Sequence, residues 1–144
     1  MVKFSNGYAV NRLEYFIITM EAHKIVYLLL AHFISAFLFQ SDVMVSQKGK
    51  HFSWFMLHAI IYVISLFFIM LLGMVVFENF TWSVVWRFVL INALTYSITG
   101  FIMSTVNAES KERKQYYILN IGMGFEQLLH ASVLIYSLSY LLGV

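Results

Sequence analysis

SWFMLHAIIYVISLFFIMLLGMVVF, residues 53–77, carries no charged side chain from end to end. Held as an α-helix at ~1.5 Å per residue, such a run exceeds the ~30 Å of a bilayer's hydrocarbon. It is continuous rather than alternating, and too long for a barrel strand. His58 and Tyr62, one helical turn apart, are the polar residues it leaves to be explained.

Comparable apolar runs flank it at about 24–41, 82–105 and 116–142. The expected fold is therefore all-α, an integral membrane four-helix bundle. A four-span domain occupies residues 24–144 behind an N-terminal tail, residues 1–23. Within that tail, VNRLEYFIITME (10–21) sets Leu13, Phe16, Ile17 and Met20 on one helical face. That pattern suits either an interfacial helix or the soluble start of the first span. Glu21, His23 and Lys24 follow a short apolar run with no small-residue cleavage pattern, so no removable signal is expected.

Composition agrees. The chain has 144 residues, 61% hydrophobic and 11% charged, whereas soluble domains average about a quarter charged. Cysteine and proline are both absent, which excludes disulfides, thiolate metal sites and the commonest cause of broken spans. A net charge of +2 is too small and scattered for a nucleic-acid partner. The partner that composition implies is the lipid bilayer.

Trp54, Trp82, Trp86, Tyr116 and Tyr117 fall near span ends, where amphipathic rings prefer the headgroup zone. Arg87, a turn inside the third span, can snorkel outward. Lys48, Lys50, Lys111, Arg113 and Lys114 lie in the first and third loops, against Lys3, Arg12 and Lys24 in the tail. That bias makes the two loops cytoplasmic and leaves both termini outside.

Each span also brings polar groups to one depth. Measured from the first and third loops, His32, Tyr62, Tyr96 and Glu126 all lie ~12–15 Å deep. His58–Tyr62, Asn92–Tyr96 and Glu126–His130 are i,i+4 pairs, so each pair shares a helix face. His32, Ala36 and Gln40 continue a stripe that ends near Asp42. Buried polar groups in a bilayer need a partner or a task. His32, His58, Glu126 and His130 are candidate ligands for a divalent metal, the candidate cofactor, because imidazole and carboxylate suit such ions in bundle cores. Gln40, Asp42, Tyr62, Asn92, Tyr96 and Gln127 would support the cluster. A hydrogen-bond network that fixes helix register, or a proton relay, uses the same residues. Gly122 and Gly124 permit close helix approach; Ser132, Ser137 and Ser139 suit helix packing; His23 and His51 suit interfaces.

From about residue 25 onward the motifs resemble a family of small bacterial and phage integral-membrane proteins catalogued as domain of unknown function 3307. Its first span reads approximately A-H-x-x-x-D-F-x-x-Q-x-D. AHFISAFLFQSD keeps His32, Phe37, Gln40 and Asp42 with Ala36 at the acid position. LHAIIY matches the second motif through His58 and Tyr62, and EQLLH the fourth through Gln127 and His130, with Glu126 for Asp. The third motif, H-x-x-x-D, is replaced by Tyr96 and Gly100. The resemblance implies an inner-membrane protein akin to metal-dependent hydrolases, whereas the three departures imply a degenerate member without catalytic residues. The favoured expectation is a non-enzymatic, multi-pass inner-membrane protein that acts through partner binding or self-association, with another membrane protein or a second copy as partner. A metal-dependent hydrolase and a transporter or proton path are the alternatives.

Overall fold

The computed structural model describes residues 2–3, 9–10 and 22–143. Residues 11–21, where the interfacial helix was expected, lie outside them. Near the N-terminus, β1 (Val2–Lys3) and β2 (Ala9–Val10) pair antiparallel. The other elements are helical: α1 (Ala22–Phe33) running into a π-helical turn Ile34–Leu38, α2 (Asp42–Gln47), α3 (Phe52–Val76), α4 (Trp82–Glu112) and α5 (Tyr116–Leu142). Three of them, α3, α4 and α5, are long and apolar enough to cross a membrane. Ala22–Leu38 is apolar but shorter, and covers only ~25 Å.

The first span was expected to reach residue 41, and instead ends at Leu38. Ser41 explains the break: its hydroxyl accepts from the Met44 backbone N–H and caps α2 as a separate short helix. Conversely α4 was expected to stop at 105 and runs to Glu112. Residues 106–112 are polar but helix-favouring, and Arg113 pairs with Glu109 one turn back at 2.6 Å. Lys114, at φ 55, then reverses the chain into α5.

The π turn and α1 touch α3 and α5, α3 packs on α4, and α4 lies along α5. Each long helix buries one stripe at spacings of three and four residues. On α4 this stripe reads Val85, Phe88, Asn92, Tyr96, Gly100, Ser104. On α5 it reads Glu126, His130, Leu134, Ser137 and Leu138. The remaining faces present large apolar side chains outward, among them Phe68, Leu72, Ile98 and Leu128, each more than 60% exposed. Polar side chains thus sit inside and apolar ones outside, the reverse of a water-soluble helix.

One end of the assembly is apolar. Leu28, Leu66, Met70, Phe88, Leu134 and Leu138 are fully buried there. Phe77 and Phe80, at the short connection between α3 and α4, fold back against Tyr27. Gly73 admits them: a Cβ there would lie 2.7 Å from the Phe80 ring. The Tyr27 hydroxyl also donates to the Ile69 carbonyl, which ties α1 to α3.

Candidate functional site

Beyond that apolar end the buried stripes turn polar, and side chains from four helices meet. The Tyr96 hydroxyl of α4 and His58 Nε2 of α3 share a hydrogen bond of 2.6 Å. His32 of α1 contacts the Tyr62 hydroxyl through Nδ1 at 3.4 Å and the Gln127 amide oxygen through Nε2 at 3.0 Å. His130 Nε2 bonds to Thr99 Oγ1 at 2.7 Å. The Tyr62 and Tyr96 rings stack with centroids 3.7 Å apart and 7° between their planes. His130 packs against both Tyr96 (4.6 Å) and His32 (5.6 Å). One turn along, Asn92 donates to Ser137 Oγ at 2.9 Å and to the Phe88 carbonyl at 2.8 Å.

His32, His58, Tyr62, Tyr96, Gln127 and His130 therefore form one layer, with Asn92 behind it and Gln40 and Glu126 in front. Asp42 does not join. It is exposed in the first turn of α2, where a carboxylate complements the helix dipole.

The four expected metal ligands do not assemble as a ligand set. Among the described residues, no group of three or more His, Asp or Glu side chains could hold an ion. Both nitrogens of His32 are engaged, and so is Nε2 of His58 and of His130. Only the Nδ1 atoms of His58 and His130 lack a partner. As arranged, these residues form a hydrogen-bonded layer.

In front of the layer opens a cavity of about 640 Å³, bordered by Ala36, Phe37 and Gln40, the 45–50 loop, α4 from Tyr96 to Glu112 and α5 from Leu119 to Gln127. Its mouth lies on the face of the first and third loops. Glu126 borders its inner end; it is 8% exposed, and its carboxylate makes no hydrogen bond or contact ion pair among the described residues. Lys48 is the charge it feels. Burial pushes the Lys48 ammonium below the usual lysine range, and attraction to Glu126 opposes that shift. At the rim Lys50 and Glu112 pair at 2.7 Å, which holds the exposed Glu112 carboxyl below its ordinary range.

Lys48 is held there by Gly49. A Cβ at that position would collide with the Ser104 carbonyl and lie 2.6 Å from Ala108 Cβ, so only glycine lets the loop touch α4. Gly122 likewise makes room for Asn107, whereas Gly124 faces open space and has no such role. Sequence reasoning missed Lys48, Thr99, Ser104 and Asn107. Thr99 lies three residues from Tyr96 on the same stripe, which was a usable signal. Lys48 read as an ordinary loop charge, and nothing local distinguishes it.

Both positions where the resembled family has an acid and this chain has none lie near Glu126 or the cavity it borders. Ala36 lines the cavity, and a Cβ on Gly100 would stand 3.9 Å from Glu126 Oε1. No curated protein and no solved structure matches the chain. The family described as "Protein of unknown function (DUF3307)" matches residues 25–143, which take in nearly all of α1 and all of the other four helices together with the whole polar layer. The chain belongs to that family.

Proposed function

We propose that this protein is a multi-pass inner-membrane component whose four apolar helices form a transmembrane bundle around a one-sided polar pocket. It works by binding a partner molecule in that pocket, without catalysing a reaction. The observation that carries this reading is the Glu126 carboxylate, buried and without a hydrogen bond or contact ion pair among the described residues, at one end of a cavity that Lys48 also borders. A carboxylate at bilayer depth is costly unless water or a ligand meets it, and the cavity beside Glu126 has room for a ligand.

The apolar end argues against the transporter and proton-path readings. Past the histidine layer and the Asn92–Ser137 pair behind it, the described interior is filled mainly by Leu66, Met70, Phe88, Leu134, Leu138 and the folded-back phenylalanines, with Lys24 and Ser139 as its buried polar residues. A proton or solute would need polar groups or water along that length. Lys48, Lys50 and Lys111 border the mouth, and the positive-inside bias of these loops supports a pocket opening on the cytoplasmic side with the termini on the other.

Topology reporters fused after residue 144 and inserted in the 45–50 loop, with alkaline extraction of membranes, test this. Resistance to extraction and opposite sides for the two reporters are expected. Release into the soluble fraction, or both reporters on one side, would refute a four-span arrangement.

A further inference from the structure

Two opposite charges border the cavity without meeting. Neither the Glu126 carboxylate nor the Lys48 ammonium makes a hydrogen bond or contact ion pair among the described residues. Lys48 acts electrically on Glu126 and, in the layer behind it, on His58 and His130, so its charge is spent inward beside the carboxylate. The other charges at the cavity are settled separately. Lys50 pairs with Glu112, and Lys111 is exposed in the last turn of α4, where water and salt screen it. The inner cavity is thus neutral in sum and unpaired in detail. Much of its remaining wall is apolar, formed by Ala36, Phe37, Val45, Leu119 and Met123.

Resting on the pocket reading given above, we propose that the cavity binds a small neutral amphiphile, one polar group that both donates and accepts hydrogen bonds on a short apolar body. A primary carboxamide is the simplest such head. Its oxygen accepts from Lys48 and its N–H donates to Glu126, so both groups are met and no charge is added. An anion would meet Lys48 and confront Glu126 as a like charge, and a cation would do the reverse. These arguments hold whichever of the two charges lies deeper. The body covers the apolar wall, each methylene taken from water being worth about a factor of four. Water bridging the same pair would leave that wall uncovered.

Ligand-observed magnetic-resonance titration of the full chain in nanodiscs of zwitterionic lipid tests this, with hexanamide as the probe and empty nanodiscs as the blank. Hexanoate and hexylammonium, similar in length but charged, and acetamide, which lacks the body, are the comparators. Hexanamide is expected to bind at least about fivefold tighter than either ion, the factor for one buried polar partner left unmet. It should bind at least about tenfold tighter than acetamide. Glu126→Gln leaves Lys48 alone and should turn the preference to hexanoate. Lys48→Gln leaves Glu126 alone and should turn it to hexylammonium. The double variant should prefer hexanamide again. A wild-type preference for either ion, or single variants of wild-type helicity whose preferences do not move in opposite directions, overturns the proposal. Acetamide binding as tightly as hexanamide overturns the apolar body. Thiol labelling of Ser104→Cys and Asn107→Cys in parallel samples separates this inference from the reading beneath it. A cavity that labels yet binds no hexanamide sinks this inference alone, and one that never labels sinks the pocket itself.

Discussion

Replacing Glu126 by Gln should make the protein more stable, although Glu126 is buried. Gln has the same shape, so packing against Tyr96 and Gly100 is preserved. No hydrogen bond is lost, because the carboxylate makes none among the described residues. What changes is the charge. A carboxylate at mid-bilayer costs roughly 2.5–3.5 kcal/mol on insertion scales. Lys48, which borders the same cavity, recovers part of this, about 1–2 kcal/mol at the effective dielectric of a partly wet site. The net burden is therefore about 1 kcal/mol, and Glu126→Gln should gain about that much. Lys48→Gln removes the compensation and should cost about 1–2 kcal/mol while Glu126 is present. The double variant should be about as stable as Glu126→Gln, because Lys48 then has no carboxylate left to compensate, which is a coupling of about 1–2 kcal/mol. Unfolding of purified protein from mixed micelles, followed by far-ultraviolet circular dichroism, measures all three. A loss of more than about 1 kcal/mol in Glu126→Gln, together with a neutral Lys48→Gln, would show that the carboxylate is a structural tie and refute the reasoning.

Three further outcomes are expected. Gly49→Ala should cost about 1–3 kcal/mol through overpacking against Ser104 and Ala108, whereas Gly100→Ala, with its nearest neighbour 3.5 Å away, should be neutral or gain up to about 1 kcal/mol; parallel thermal melts decide the pair. Tyr96→Phe removes the hydroxyl bonded to His58 and leaves a buried imidazole nitrogen unmet, which should cost about 1–3 kcal/mol in the same micelle assay. Protein purified without chelator should carry less than about a tenth of an equivalent of any transition metal, and added chelator should leave its melting temperature unchanged; a stoichiometric ion would restore the ligand set of His32, His58, Glu126 and His130.

Hydropathy and spacing made the helices and the inward polar layer legible, because both depend on local runs. Residues 53–77 announced α3, and the i,i+4 pairs placed His58, Tyr62, Tyr96, Glu126 and His130 on faces that do meet. The ends were harder. Hydropathy reports where a bilayer stops, not where a helix stops, so α4 was cut short at 105 although its polar last turns continue to Glu112. The Ser41 cap that ends the first span early is a single hydroxyl on a backbone N–H. The choice between a ligand set and a hydrogen-bonded layer depended on ring orientation, which spacing does not encode. The cavity was invisible for another reason. It is made by a loop lysine and a loop glycine far in sequence from Glu126, and only the packing of Gly49 on Ser104 brings them together.

The cavity opens to the first and third loops and closes at the histidine layer, with the Asn92–Ser137 pair sealed behind it. With no native cysteine, each introduced thiol reports alone. Ser104→Cys, Asn107→Cys and Gln127→Cys should react with a membrane-impermeant maleimide added from the loop side and stay silent to reagent from the other. Leu66→Cys, Leu134→Cys and Leu138→Cys should react from neither. Labelling of the leucine positions from either side, or silence at Ser104 and Asn107 from the loop side, would contradict the account.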